Sequence, residues 1–158
     1  MSISRRLFIS ACVAVVTLPI FGMAQAAEFG TAEEAKAMVA KAIAFYKANG
    51  KEKFLAEVSL GAKGQFVDRD LYIVPYSIEG IRLAHPYNPK FVGGSVLDAV
   101  DFDGKEYGKE EVALIKAKGS GWVDYKYTDP TTKKLANKSF YVEKIDDQIF
   151  VGCGIYKH

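Results

Sequence analysis

One feature limits the folds open to this chain more than any other: its apolar residues change period near Leu71. Before that point the spacing is helical. "TAEEAKAMVAKAIAFYKANG" opens with Thr31 and Glu34 three residues apart, a capping box, and ends at Gly50, where a C-terminal cap glycine belongs. Met38, Ala42 and Phe45, with Val39, Ile43 and Tyr46, form an apolar stripe that has to be buried. "KEKFLAEVSL" predicts a second, short helix before "GAKG". After Leu71 the alternation is that of strands. "LYIVPYS" and "IRLAHP" predict two strands joined by a tight turn at Glu79-Gly80, with Pro75 at a bulge or an unpaired edge position. A glycine-punctuated stretch follows, in which Lys109 to Lys118 predicts a helix with Val112, Leu114 and Ile115 on its apolar face. "GWVDYKYTD", "ANKSFYVEKI" and "QIFVGCGIYK" then predict three antiparallel strands. The expected fold is α+β: a long N-terminal helix on a mostly antiparallel five-stranded sheet, with a helical insertion between strands 2 and 3.

The first 26 residues belong to a different class of sequence. A basic head, "MSISRR", precedes an apolar run too short to span a bilayer comfortably, and "AQA" ahead of Ala27 has the form of a signal-peptidase site. Residues 1–26 are therefore expected to be an export signal cut after Ala26, the alternative being an uncleaved anchor. Ser4-Arg5-Arg6-Leu7-Phe8-Ile9 also resembles a twin-arginine signal, so either export route is open. Removing 26 of 158 residues leaves 132, enough for one domain with one core, residues 27–158. Losing Arg5 and Arg6 from 21 basic residues leaves 19 against 19 acids, a neutral balance that gives no footing for a nucleic-acid partner.

Several chemistries lack their residues. There is no zinc-protease pair, paired-cysteine site, nucleophile elbow or phosphate loop, so no metal, cofactor or catalytic set is expected. "DFDGKEYGKEE" has alternating acids but neither the length nor the closing glutamate of a calcium loop. Cys153 alternates with Ile149, Val151 and Ile155 and reads as a small buried hydrophobe. What remains is a concentration of aromatic and basic side chains on the strands: Tyr72 and Tyr76, then His85, then Trp122, Tyr125 and Tyr127, then Lys138, Phe140 and Tyr141. Aromatic walls with O–H or N–H tips and one cation suit a small anion, and they equally suit a tyrosine-rich core. Parity constrains the set. Trp122 and Tyr125 are three apart, as are Lys138 and Tyr141, so in regular strands the members of each pair face opposite ways.

The run "DLYIVPYSIEGIRLAHPYNPKFVGGSVLD", followed by "GSGWVDYKYTDPTTKKLANKSFYVEKIDDQIFVGCGIYK", resembles the single Cache domain of the second type. The shared pattern is a strand, an acid/glycine turn, "LAHP", a glycine before a short helix, "GWVxY", a lysine-bearing strand and a closing "GxGxY". It spans roughly Thr31 to Lys157. The resemblance implies an extracytoplasmic, PAS-like domain that senses small molecules without enzymatic activity. Similar domains in chemoreceptors and sensor kinases bind short organic acids such as acetate, propionate, pyruvate or lactate. Matched position by position, it places His85, Trp122, Tyr125, Lys138 and Tyr141 in or beside the pocket, followed by Tyr72, Tyr76 and Arg82. Members of the family usually hang from transmembrane helices. Nothing after the export signal here could cross a membrane, so the expectation is a free-standing periplasmic protein. Two other readings stay open: an accessory subunit that docks on a membrane sensor kinase or receptor, and a small enzyme using His85 with a tyrosine as acid–base pair, oriented by Asp124.

Overall fold

The computed structural model describes residues 29–157. The expected export signal, residues 1–26, and its cleavage after Ala26 lie outside these residues. Three helices, α1 (Ala32–Asn49), α2 (Lys51–Ser59) and α3 (Tyr107–Lys118), accompany five strands. These are β1 (Val67–Asp68), β2 (Leu71–Ser77), β3 (Ser120–Thr128), β4 (Leu135–Lys144) and β5 (Ile149–Lys157). The strands form one antiparallel sheet in the order β1-β2-β5-β4-β3.

The capping box of α1 is present: Glu34 N–H donates to Thr31 Oγ1 at 3.2 Å and Thr31 N–H donates to Glu34 Oε2 at 2.8 Å. Its buried stripe, Ala35, Val39 and Ala42, lies on one face of the sheet with Phe54 and Val58 of α2. From the strands this layer receives Leu71, Ile73, Val151 and Cys153. The opposite face, under α3, collects the alternate residues: Tyr72, Val74 and Tyr76 from β2, Val123 and Tyr125 from β3, Phe140 and Val142 from β4, Phe150 and Tyr156 from β5.

One element differs from the sequence reading. "IRLAHP" does not form a strand. It contributes only two isolated bridges, Tyr76 with Arg82 and Ile81 with Ser95, and the fifth strand is the short β1. The turn itself is as expected, with Gly80 N–H donating to Ser77 O at 2.9 Å and Gly80 at a φ of 86°, which a side chain would strain. Beyond Leu83 the chain leaves the sheet. Pro75 explains part of this. Its carbonyl accepts from Leu83 N–H at 2.9 Å, so its nitrogen faces the same outer edge and cannot return a bond. The missing donor therefore costs the β2–β5 ladder nothing and ends the outer pairing instead. Residues 86–94, including a 3₁₀ turn at Pro89–Phe91, then fold back, tied by Gly93 N–H to Arg82 O at 2.8 Å.

Candidate ligand-binding site

Lys138 lies mid-strand on β4, and parity turns its side chain to the α3 face. A lysine can lie flat there because β5 carries glycine beside it. A Cβ at Gly154 would sit 2.1 Å from Lys138 Cε, and one at Gly152 would sit 2.3 Å from the Phe140 ring. The "GCG" of the final strand thus leaves a trough for two β4 side chains. Lys138 is 3% exposed. Its ammonium donates to Tyr72 Oη at 2.8 Å, and Tyr72 and Tyr156 share a hydroxyl–hydroxyl bond of 3.2 Å. Rings surround it: Tyr72 at 4.6 Å, Tyr156 and Phe140 at 5.0 Å, Tyr127 at 5.2 Å and Tyr125 at 5.9 Å. Among the described residues no carboxylate forms an ion pair with it. Burial accordingly pulls its pKa down to about 8.

His85 enters from the covering segment. Its Nδ1 accepts from the backbone N–H of Tyr87 at 3.2 Å and of Asn88 at 3.1 Å. A nitrogen that accepts twice carries no proton, so Nε2–H is the ring's donor. Burial, with Lys138 and Arg82 nearby, pushes the pKa of His85 down to about 4, which keeps the ring neutral. Arg82 lies with its guanidinium 5.4 Å from the Phe91 ring, and its Nη1 donates to Ser95 O at 3.4 Å. Tyr87 and Phe91 complete the cover, 5.1 Å from Tyr72 and 5.4 Å from His85.

These groups enclose a cavity of about 20 Å³, lined by Tyr72, Tyr76, Arg82, His85, Tyr125 and Lys138 together with Val74, Tyr107, Tyr127 and Phe140. Six of the eight residues expected at the site are therefore brought together. Trp122 and Tyr141 are not. They lie on the α1 face, ring to ring at 5.2 Å, with the Lys36 ammonium 5.6 Å from Tyr141 and 6.0 Å from Trp122. The physical reason is the parity that separates Trp122 from Tyr125 and Lys138 from Tyr141, because β3 and β4 pair in unbroken register from Ser120 with Glu143 to Thr128 with Leu135. A second departure concerns Asp124. Its carboxylate accepts from Ser139 Oγ and lies 3.6 Å from Lys157 Nζ, 69% exposed, so it does not orient His85.

Three cavity neighbours escaped the sequence reading. Tyr107 stacks on Tyr125 at 4.1 Å, Tyr156 bonds Tyr72, and Glu111 of α3 is fully buried. The signal for Tyr156 was parity with Gly152 and Gly154. Nothing in "YGKEEVALIK" separates Glu111 from the exposed Glu110 beside it except helical phase with Tyr107, Val112 and Ile115. Larger, more open depressions exist: one of about 390 Å³ beside Lys126, Lys134 and Lys157, one of about 370 Å³ that reaches Tyr125 and Lys138 from the side of Asp101, Asp124 and Lys157, and one beside α1 at Met38 and Lys41. Cys153 is packed as expected, its Sγ 3.9 Å from Met38 Sδ, with burial pushing the thiol up to about 12. Among the described residues no helix is long and apolar enough to cross a membrane.

The profile of the family described as Single Cache domain 2 matches residues 6–158. Over 89 residues, 56% of the chain, the sequence is 34% identical to the sensor histidine kinase MctS of Rhizobium johnstonii, of which the match covers 19%. The chain thus spans about a fifth of that relative's length. The fold is similar to a methyl-accepting chemotaxis protein from Vibrio parahaemolyticus, with a TM-score of 0.66 at 24% identity over 78% of this chain and 86% of the other. It is also similar to a Cache chemosensory domain whose structure addresses carboxylic acid recognition, with a TM-score of 0.62 at 25% identity over 80% and 88% of the two chains.

Proposed function

Because the chain belongs to the single Cache domain 2 family, we propose that it is a periplasmic binding and sensing domain for a short organic carboxylate, with no enzymatic step of its own. Export by residues 1–26, cut after Ala26, delivers residues 27–158 to that compartment. The ligand is an acid of the size of acetate, propionate, pyruvate or lactate, and a membrane sensor kinase or chemoreceptor receives the signal. The observation that carries this reading is Lys138: an ammonium 3% exposed, ringed by aromatic side chains, with no carboxylate within ion-pair distance among the described residues. A buried cation without a counter-ion costs stability, and an entering carboxylate removes that cost. Tyr72 Oη, now the acceptor for Lys138, can turn its proton to the ligand, and His85 Nε2–H adds a neutral donor. Arg82 supplies a second positive charge at the cover. The carboxylic acid recognition of the similar chemosensory domain supports the ligand class.

The cavity of about 20 Å³ exceeds the roughly 10–15 Å³ that one water needs and is too small for a three-carbon acid. Entry of such an acid therefore requires the lining to move, and the covering segment that carries Tyr87 and Phe91 is tied back by Gly93 N–H to Arg82 O and Arg82 N–H to Gly94 O. The test is Lys138→Met, which keeps the stem over Gly154 and removes the charge. A charge-assisted hydrogen bond contributes about 1.5–3 kcal/mol, so affinity for the best acid in a thermal-shift screen should fall roughly tenfold to a hundredfold. The melting temperature of the free protein should hold or rise. Equal affinities for wild type and variant in calorimetric titration would remove Lys138, and this reading, from the site.

A further inference from the structure

Glu111 is 0% exposed, and neither of its carboxyl oxygens is met by a donor in good hydrogen-bond geometry, the Tyr125 hydroxyl being the one side-chain partner within reach. Its one-atom counterpart, Asp70 Oδ2, belongs to a carboxylate whose other oxygen accepts from Gly30 N–H at 2.6 Å, an evident structural task at the start of α1. Glu111 has no such task. A hydrocarbon in its place would fold at least as well, since an unpaired buried polar group only costs stability. Its electrostatic neighbours are Lys138, Arg82, Tyr76, Tyr107, Tyr125 and Tyr127, with Glu110 beside it on α3. All but Glu110 line the cavity, and Glu111 stands directly behind that lining. The orphaned carboxyl therefore stands at the α3 side of the cavity, while His85 stands at its cover.

We infer that Glu111 contacts the ligand and selects, among short carboxylic acids, those with a second polar group, a hydroxyl or keto oxygen, over plain alkyl acids. This rests on the carboxylate reading above and adds the identity of the ligand's other end. The ligand's carboxylate is held by Lys138 and His85, and its second oxygen is directed to α3 when the cavity expands to admit it. Burial pushes the Glu111 carboxyl up to about 8, so at neutral pH it is mostly the neutral acid, with one donor and one acceptor. A hydroxyl can both give and take a bond there, and a keto oxygen can take one. An alkyl acid offers neither and leaves Glu111 as poorly satisfied as it is in the free protein, so only the acid with a second oxygen gains the bond. Sites built around a buried polar group discriminate strongly against analogues that cannot satisfy it. Protonation also keeps Glu111 from competing with the ligand for Lys138 and Arg82.

The experiment is calorimetric titration of wild type and Glu111→Met with lactate, pyruvate and propionate at pH 7. The wild type should bind lactate and pyruvate at least roughly tenfold more tightly than propionate, the effect of about one hydrogen bond. In Glu111→Met that ratio should collapse to within about threefold, and the free variant should melt higher than the wild type, which shows that its fold is intact. A wild type that binds propionate as tightly as lactate, or a variant that keeps the wild-type ratio, overturns the inference. If Lys138→Met still weakens all three acids in that case, the carboxylate site itself stands. If none of the acids binds the wild type, both readings fall together.

Discussion

Under α1 and α2 the sheet buries Leu71, Ile73, Val151 and Cys153 against Phe54 and Phe66. Under α3 the alternate residues of the same strands bury Tyr72, Tyr76, Tyr125 and Tyr156 around Lys138. The first face is hydrocarbon packed on helices laid down at the start of the domain. The second is closed by an irregular segment, residues 78–106, and by one helix that arrives late in the chain. Strand alternation lets a single sheet serve both purposes, because neighbours in sequence never share a face. A substitution's consequence should then follow from its parity, stability on one side and affinity on the other.

The largest effect is expected from Phe54→Ala. Phe54 is fully buried and meets Phe66 and Tyr46 edge to face at 5.6 and 5.8 Å. Removing such a side chain costs about 3–5 kcal/mol through lost burial and the cavity left behind. Chemical denaturation should show that loss, while the protein that remains folded should bind ligand with wild-type affinity. A parallel loss of affinity would break the division between the faces.

The next effect depends on pH and belongs to the α3 face. Glu111 keeps its proton up to about 8 when folded and releases it near 4.5 when unfolded. Between those values the folded state binds more protons, so stability from this group is whole below pH 4.5 and is lost as pH rises toward 8. Lys138 works in the opposite sense at higher pH. Its folded value of about 8 lies below the unfolded 10.5, so stability increases as pH rises from 8 to 10.5. Measured against Glu111→Gln, the wild type should lose on the order of a few kcal/mol between pH 5 and 8. His85 titrates alike in both proteins and drops out of that difference. A flat difference curve would mean that Glu111 is solvated and not buried.

These contrasts also explain what was legible in the sequence. The helices, the three long C-terminal strands and the overall α+β arrangement follow from caps and periodicity that act locally: Thr31 with Glu34, Gly50, and the alternation through Val123, Tyr125 and Tyr127. The expectation of a strand at "IRLAHP" was displaced by β1 because pairing depends on what lies alongside. Pro75 ends the outer ladder, and Val67–Asp68 takes the remaining edge of β2. At the site, parity alone separated Trp122 and Tyr141 from Tyr125 and Lys138, against the grouping that the family resemblance gave. Glu111 and Tyr107 share the helical phase of Val112 and Ile115, but that they meet the cavity depends on how α3 docks, which the phase alone does not encode. The trough for Lys138 was visible only as "GCG", whose meaning depends on the register of β4 against β5.

The smallest expected effect tests that parity argument most directly. Tyr141 is half-buried on the α1 face, and its hydroxyl donates to Glu143 Oε2 at 3.0 Å near the surface. Tyr141→Phe keeps the ring against Trp122 and removes only the hydroxyl's interactions with Glu143 and Ser120. A change of this kind away from core and site is worth within about 0.5 kcal/mol of stability. Because β4 passes between the two faces as a single layer, the Tyr141 hydroxyl cannot reach a ligand held at Lys138 without a break in register that the β3–β4 and β4–β5 pairings do not contain. Affinity for the best carboxylate should accordingly match the wild type within error, and Trp122→Phe should behave alike. A tenfold loss from either substitution would require the ligand to sit on the α1 face. Lys36, 5.6 Å from the Tyr141 ring, would then replace Lys138 as the cation to remove next.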